Sequence, residues 1–350
     1  MKITEIDKHL NVETKIEAEG LVFKDALSEP FKTYGIYHDG EQYRRMPSSV
    51  SSQANPGCHE LATNTAGGRV RFVTDSPYVA IKVFLPHDVT FSHMPKTAIY
   101  GFDIFETVNG KEEKRVPFIP PYDFKDEYES IYYFTTAGEH FVTINFPLYS
   151  DVYQLFIGLK EGCVLKEAPN YKIEKPIVFY GSSITQGGCA SRPGNSYQGH
   201  ISRILDANYI NLGFSGSGKG EAVVAEYIAS LDMSAFVMDY DHNAPTLEHY
   251  KETHEPFFKI IREKNPELPI IILTRPKRRL SNEEYQRIEI ARETYNNAIN
   301  RGDKKVSFIV GGDLLGEAGD DGLVDRCHPT DLGFYFMGKR LTEELSKYLG

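Results

Sequence analysis

Apolar and polar residues alternate along the first part of the chain with the two-residue period of half-buried β-strands. The segments that show this alternation between turn signals are residues 68–85 (two strands around a turn at 75–77), 100–108, 114–118, 130–135, 140–146 and 152–159. No helical period of useful length interrupts them. Residues 1–165 are therefore predicted to form an all-β sandwich of jelly-roll-like type.

Beyond residue 175 the pattern changes to short apolar runs that alternate with amphipathic helical stretches. The predicted strands are residues 177–180, 209–212, 235–240, 269–273 and 306–310. The predicted helices are residues 196–205, 220–230, 246–264, 282–301 and 331–348. This alternation predicts an α/β domain over residues 175–350, in which helices cover both faces of a five-stranded parallel sheet.

Composition narrows the class of protein. The chain has 350 residues, which is long enough for two domains, and no apolar run approaches the length of a membrane span. Its net charge is −10, whereas nucleic acids and anionic membranes require a basic surface, so neither is predicted as a partner. Residues 1–15 lack the apolar core of a signal peptide, which predicts a cytoplasmic protein.

The four cysteines are far apart in the sequence, at Cys58, Cys163, Cys189 and Cys327. None of them forms a CxxC pair, so neither a disulfide framework nor a metal site is predicted. No cofactor is expected, and the sequence leaves the oligomeric state open.

Candidate chemistry follows the predicted strands, where parallel sheets carry their ligands. The residues are Ser182 and Ser183 after the first strand, a glycine-rich run at 211–220 after the second, Asn243 after the third, and Asp325 with His328 before the last helix. Attack by a serine on a carbonyl needs a nucleophile, a base, a group that orients the base, and donors for the oxyanion. The alternative is that all of these residues cap helices.

The glycine-rich run also invites a phosphate-binding interpretation. Residues 213–220 fit the pattern GxxxxGK[ST] except at the last position, where Gly220 stands. A glycine lacks the hydroxyl that would hold Mg²⁺, and a nucleotide site leaves the serine, asparagine and histidine unused. Nucleotide binding is therefore disfavoured.

Four of these blocks, in this order, resemble the SGNH (GDSL-type) hydrolase superfamily. Gly181-Ser182-Ser183 matches the Gly-Asp-Ser block, with Ser182 in place of the family's aspartate. Gly216 matches the second block, Asn243 the third, where His242 replaces the usual glycine, and Asp325 with His328 the last. The resemblance implies a flavodoxin-like three-layer α/β/α fold.

The resemblance also implies roles for these residues. Ser183 would be the nucleophile, His328 the base and Asp325 the residue that orients it. The backbone N–H groups of Ser183 and Gly216, with the side-chain amide of Asn243, would form the oxyanion hole. A β-sandwich ahead of such a domain resembles bacterial carbohydrate esterases that remove acetyl groups, which implies a small-molecule or oligosaccharide ester as substrate.

Three residues are candidates for substrate contacts. Arg192 lies in a turn-rich segment at 188–197 that is predicted to line the cleft, and His242 precedes Asn243. Arg275 belongs to the basic run at 274–279, which could meet an acidic sugar or form a solvated loop. Two other functions remain open: a thioesterase or lipid or short-chain acyl esterase of the same superfamily, and a non-catalytic glycan-binding protein.

Overall fold

Two antiparallel sheets make up most of the first half of the chain. The computed structural model describes residues 16–350, so the N-terminal stretch considered above for a signal peptide lies outside the described residues. The strands of this half are β1 (Leu21–Asp25), β2 (Lys32–Tyr34), β3 (Tyr37–His38), β4 (Tyr43–Arg44), β5 (Arg69–Thr74), β6 (Tyr78–Phe84), β7 (Phe102–Val108), β8 (Lys111–Phe118), β9 (Glu127–Tyr133), β10 (His140–Asn145), β11 (Gln154–Lys160) and β12 (Leu165–Glu167).

One sheet has the strand order β1-β11-β6-β9, and the other has the order β12-β5-β10-β7-β8 with β2 also paired to β5. The short strands β3 and β4 form a separate pair. Val79, Ile81 and Val83 of β6 are all fully buried, as the two-residue period predicted. The antiparallel sheets confirm the expected sandwich.

Short helices also occur in this half, although no helical period of useful length is visible in its sequence. Within residues 16–165 there are three: α1 (Ser48–Ala54), α2 (Pro56–Leu61) and α3 (Lys96–Ile99). The longest has seven residues, too few for a readable helical period. Tertiary contacts stabilise them instead: the Asn55 side chain caps α2 by accepting from the Cys58 N–H at 2.9 Å and donates to the carbonyl of Ser217.

The second half contains the predicted parallel sheet. Its strands are β13 (Ile173–Gly181), β14 (Ala207–Gly213), β15 (Ala235–Asp239), β16 (Ile270–Leu273) and β17 (Val306–Ile309). The helices are α4 (Ser183–Gln186), α5 (Tyr197–Leu205), α6 (Ala222–Ser230), α7 (Leu247–Lys264), α8 (Asn282–Asn300) and α9 (Asp331–Leu349), with 3₁₀ segments at Pro193–Asn195, Asp241–Asn243 and Gly311–Gly322.

The strand order β14-β13-β15-β16-β17, with every pair parallel, confirms the flavodoxin-like arrangement. The order reverses at β13, because β14 lies on one side of it and β15 on the other. Such a reversal opens a crevice at the carboxyl ends of β13 and β15, which is where α/β sheets bind their ligands. Ser183 follows β13, and Asn243 follows β15.

The hydrophobic core divides at the parallel sheet. Ile177 and Phe179 of β13 belong to a buried cluster that continues into the sandwich, whereas Val178 and Tyr180 belong to the cluster on the opposite face. One face of the sheet therefore shares its core with the sandwich, and the other face packs against Met46, Cys58 and Ala62 of the first half. The division into domains at residues 1–165 and 175–350 stays a prediction.

Arg45 links the first half of the chain to the parallel sheet. Its side chain is almost fully buried and donates to four carbonyl oxygens, those of Leu61, Asn64, Asn211 and Gly213, at 2.5–3.1 Å. Two of these carbonyls, those of Asn211 and Gly213, lie at the end of β14, where the glycine-rich run begins. The contact thus holds this run against the sandwich. Across residues 16–350, no helix is long and apolar enough to cross a membrane.

Candidate active site

The turn after β13 gives its two serines different hydrogen-bond partners. Ser182 is the N-cap of α4, and its Oγ accepts from the backbone N–H of Ile184 at 3.2 Å. Ser183 begins the helix, and its Oγ lies 2.8 Å from Nε2 of His328. A side chain at Gly181 would collide with the carbonyl of Asp239, so the tight turn requires glycine there. Ser182 therefore caps, and Ser183 faces the histidine.

His328 lies in the loop before α9 and is held by Asp325. Its Nδ1 is 2.9 Å from Oδ2 of Asp325, and Oδ1 of the same carboxylate accepts the backbone N–H groups of Cys327 and His328 at 2.7 Å. Burial favours the neutral acid, but these hydrogen bonds outweigh it and lower the pKa of Asp325 to about 2. Thr330 caps α9, so neither Asp325 nor His328 serves as its cap.

The hydroxyl, imidazole and carboxylate form one hydrogen-bonded chain. Because an ionised carboxylate can only accept, Nδ1 of His328 must be the donor to Asp325. Nε2 then carries the lone pair and can accept the proton of the Ser183 hydroxyl. This arrangement of Ser183, His328 and Asp325 can generate a serine nucleophile.

The three predicted oxyanion donors lie on the turns that follow β13, β14 and β15. Among the hydrogen bonds within residues 16–350, none uses the backbone N–H of Ser183 or of Gly216. Gly216 has a φ of 66°, a conformation that favours glycine. Nδ2 of Asn243 donates to the carbonyl of Phe214 at 2.9 Å, which leaves one of its two N–H bonds available. Thr246, and not Asn243, caps α7.

Gln186 ties the loop that carries Gly216 to both halves of the chain. Its Oε1 accepts the backbone N–H of Ser215 at 3.0 Å. Its Nε2 donates to Oδ1 of Asn64 and to the carbonyl of Leu148, each at 3.1 Å. These contacts hold the loop at Ser215, the residue before Gly216, against both halves of the chain.

A small cavity opens beside the hydroxyl–imidazole pair. It has a volume of about 190 Å³, and the residues that line it are Phe91, His93, Met94, Tyr149, Gly188, Cys189, Ser215 and His328. Tyr149 also donates its hydroxyl to the backbone carbonyl of Ser183 at 3.3 Å. A larger cavity of about 520 Å³ lies at the opposite end of the sheet, around Arg262 and Asp303, and shares no residue with the first.

Only some of the residues that line this cavity were predicted from the sequence. Gly188 and Cys189 belong to the segment 188–197 that was predicted to line the cleft. No sequence pattern singles out Phe91, His93 or Tyr149, because only the tertiary fold brings these residues of the first half to the serine.

Neither Arg192 nor Arg275 lines this small cavity, and contact of either residue with the substrate stays a prediction. Arg192 forms an ion pair with the buried Asp103 at 2.6 Å. Arg275 is engaged by Asp241 at 2.6 Å and by Glu284 at 2.9 Å. Asp103 and Asp241 are both far in sequence from the arginine with which they pair. The buried Arg275–Asp241 pair fixes the turn that carries Asn243.

His242 does not line the cavity either. Its Nδ1 lies 3.3 Å from Sγ of Cys327, which belongs to the same loop as His328. Burial lowers the pKa of His242 to about 4, so its ring is neutral at neutral pH. His242 therefore packs against the loop before α9, and its contact with the substrate stays a prediction.

A buried carboxyl lies behind the serine turn. Asp239, the last residue of β15, accepts from the hydroxyl of Thr185 at 3.1 Å and from that of Tyr197 at 3.4 Å. Burial raises the pKa of Asp239 from 3.8 to about 7, although the hydrogen bond from Thr185 opposes this shift. The carboxyl is therefore largely protonated below neutral pH.

This raised pKa predicts how stability depends on pH. Between about pH 4 and pH 7 the folded chain holds a proton that the unfolded chain has released, so stability falls as the pH rises. We expect Asp239→Asn, which cannot ionise, to gain stability relative to the wild type by roughly 1 kcal/mol per pH unit in this window. Urea unfolding at pH 5, 6 and 7 measures it. Parallel pH dependences of the two proteins would contradict a raised pKa.

Comparisons with known proteins agree with this architecture. The GDSL-like lipase/acylhydrolase family matches residues 174–346, and the N-terminus of SGNH hydrolase-type esterases matches residues 21–165. The crystal structure of a candidate GDSL-like lipase from Bacteroides ovatus superposes with a TM-score of 0.84 at 30% identity, over 94% of this chain and 98% of that one. Among curated proteins, none matches the sequence.

Two more distant structures share the fold. A salicylyl-acyltransferase, SsfX3, from a tetracycline biosynthetic pathway has a TM-score of 0.78 at 18% identity, over 95% of this chain and 98% of that one. An acetyl xylan esterase from the rumen bacterium Butyrivibrio proteoclasticus has a TM-score of 0.60 at 15% identity, over 94% and 99%. The family matches support an esterase. The chain belongs to the GDSL-like lipase/acylhydrolase family, within the SGNH hydrolases.

Proposed function

We propose that the protein is a serine esterase that removes O-acyl groups, above all O-acetyl groups, from carbohydrates. The observation that carries the proposal is the hydrogen-bonded chain from Ser183 to His328 (2.8 Å) and on to Asp325 (2.9 Å), which opens into a small cavity. Family membership supports the ester-hydrolase chemistry.

The proposed reaction has two halves. Ser183 Oγ attacks the ester carbonyl while its proton passes to Nε2 of His328, and collapse of the tetrahedral intermediate expels the alcohol, which takes that proton. Water then attacks the acyl carbonyl and gives a proton to Nε2 of His328. Collapse of this second tetrahedral intermediate breaks the bond to Ser183 Oγ, which takes the proton back from Nε2 as the acid is released. The Asp325 carboxylate stabilises the imidazolium that forms in each half. It stays ionised because its pKa is held at about 2.

Asn243 tests the proposed oxyanion hole. We expect Asn243→Ala to lower kcat by about 100- to 1,000-fold, because the amide would donate only when negative charge develops on the carbonyl oxygen. KM should change little, as the ground-state ester gains less from the donor. Steady-state kinetics on nitrophenyl acetate measures both constants. A rise in KM at constant kcat would contradict the role of Asn243 in the transition state.

The size of the cavity supports a short acyl group. A volume of about 190 Å³ is below the range of roughly 300–1,000 Å³ that is typical for pockets of drug-sized ligands. Phe91, Met94 and Tyr149 line it with apolar and aromatic surface, which suits a methyl group better than a charged one.

A neighbouring groove supports a carbohydrate as the alcohol. A second cavity of about 210 Å³ shares Phe91 and Tyr149 with the first and adds the polar side chains of Glu60, Asn64, Asp88 and Asp151. Carboxylates and amides can form hydrogen bonds with the hydroxyl groups of a sugar. Aromatic side chains offer an apolar surface against which the sugar ring can pack. The acetyl xylan esterase from Butyrivibrio proteoclasticus, which shares the fold, is in line with this choice.

The proposal is tested with a series of nitrophenyl esters from acetyl to octanoyl, together with acetylated xylo-oligosaccharides and Ser183→Ala as the blank. We expect kcat/KM to be highest for acetyl, to fall by at least about tenfold at octanoyl, and acetate to be released from the oligosaccharides. Preference for octanoyl or for thioesters would favour a longer-chain esterase or a thioesterase. Glycan binding without any turnover would overturn the enzymatic proposal.

A further inference from the structure

A group of metal-ligating side chains lies at the mouth of the small cavity. His93, Cys189 and His328 each present one ligand atom, and these three atoms all lie within 4.8 Å of one another. The residues come from three separate segments of the chain. In the part of the chain that the structure describes, residues 16–350, no other three histidine, cysteine or acidic side chains form such a group.

We propose that the His93–Cys189–His328 group is a zinc site whose occupation switches the hydrolase off. The inhibitory consequence rests on the proposed role of His328 as the base. Two imidazole nitrogens and one thiolate are a ligand set that suits Zn²⁺, and three protein ligands leave a fourth tetrahedral position for water.

The required rearrangement is small. Zinc–nitrogen and zinc–sulfur bonds of about 2.0–2.3 Å place tetrahedral ligand atoms roughly 3.5 Å apart. Because the three atoms lie within 4.8 Å of one another, no pair has to approach by more than about 1.3 Å. His93 is exposed, and its ring takes part in no hydrogen bond among the described residues; it contacts His328 edge to face, with 5.7 Å between the ring centroids. Rotation of this side chain can supply the movement.

Cys189 has no evident structural task for its thiol. The residue is buried, lines the cavity and makes no hydrogen bond through sulfur to any described residue. Its φ of 73° lies in the left-handed region, which a glycine would adopt without strain. Cys327 differs, because its sulfur packs against Nδ1 of His242.

Binding of zinc would remove the lone pair on which the proposed mechanism depends. Nε2 of His328, which lies 2.8 Å from Ser183 Oγ, would bond the metal instead of accepting the serine proton. Asp325 would continue to hold Nδ1, an arrangement that orients histidine ligands in many zinc sites. The Cys189 S–H bond breaks, sulfur keeps the electron pair for the metal, and the proton passes to water.

The first test is inhibition by zinc chloride in the nitrophenyl acetate assay. We expect micromolar zinc to remove at least nine-tenths of the wild-type activity, and EDTA to restore it. Cys189→Ser and His93→Gln should each need at least tenfold more zinc for half-inhibition, relative to their own zinc-free rates. Cys163→Ser, which changes a thiol beside Thr74 in the sandwich, should respond like the wild type.

The second test is direct and needs no turnover. Calorimetric titration of the full chain with zinc chloride should give one ion per chain in the wild type and in Ser183→Ala, with Kd at least tenfold weaker in Cys189→Ser and His93→Gln. Absence of binding, or equal Kd in all four proteins, would overturn the zinc site. If esters are hydrolysed and zinc does not bind, only this inference fails; if zinc binds and no ester turns over, the proposed function fails.

Discussion

Ser183→Ala is expected to lower kcat for nitrophenyl acetate by at least about 10,000-fold. The hydroxyl is the only group that the proposed mechanism places in bond-forming contact with the carbonyl, and its loss leaves just the oxyanion donors and binding. The variant should fold normally, because Ser183 Oγ bonds only the side chain of His328 among the described residues. Steady-state kinetics and circular dichroism measure the two effects.

Ser182→Ala is the matched control for this substitution. It removes the same atom one residue earlier, where the hydroxyl caps α4 by accepting from the backbone N–H of Ile184. We expect the free energy of unfolding to fall by about 1 kcal/mol and kcat to stay within a few-fold of the wild type. If Ser182→Ala were inactive and Ser183→Ala active, the roles of the two serines would be reversed.

His328→Gln is expected to lower kcat by at least about 1,000-fold. Glutamine can still bond Ser183 and Asp325, but it cannot accept the proton that the serine must lose. KM should change much less than kcat, because the imidazole acts on the reacting bonds rather than on the rest of the substrate. Steady-state kinetics on nitrophenyl acetate separates the two constants.

His38→Gln is the control for the loss of an imidazole. That ring is bonded to the carbonyl of Tyr153 in the sandwich and should leave kcat unchanged. A decrease of less than tenfold in His328→Gln would show that another group acts as the base.

The parallel sheet was largely predictable because its strands are buried on both faces. The predicted strands at 235–240 and 269–273 differ by one residue from Ala235–Asp239 and Ile270–Leu273. β13 begins at Ile173 rather than at 177, because it pairs with β14 across an irregularity and includes the exposed Glu174 and Lys175. The start of this strand could not be read from an apolar run, because residues at the beginning of a strand can be exposed and charged.

The grouping of the site residues was predictable for a different reason. Carboxyl ends of parallel strands meet at one edge, so residues after β13, β14 and β15 had to lie close together. The choice between Ser182 and Ser183 was not predictable from local pattern, because both positions suit a helix cap. The resemblance to the Gly-Asp-Ser block favoured Ser183, and in the structure it is Ser183 that lies 2.8 Å from His328, 145 residues further along the chain.

Contacts between residues that lie far apart in the sequence could not be predicted. Arg192 and Arg275 were candidates for the substrate because they are cations in loops, yet Asp103 and Asp241 neutralise them from distant positions. Likewise, no local period shows that Tyr149 reaches the carbonyl of Ser183. The Arg192–Asp103 and Tyr149–Ser183 contacts depend on how the sandwich packs on the sheet, and the Arg275–Asp241 pair depends on how two turns of the sheet meet; neither composition nor spacing records this.

The central claim is that Ser183 is the nucleophile, and covalent trapping tests it most directly. An activated serine attacks the phosphorus of diisopropyl fluorophosphate and displaces fluoride into solution. Peptide mass spectrometry then locates the phosphoryl group. We expect one adduct per chain on Ser183, loss of esterase activity in step with labelling, and no adduct in Ser183→Ala. An adduct on Ser182 or Ser215, or full activity after complete labelling of Ser183, would contradict the claim.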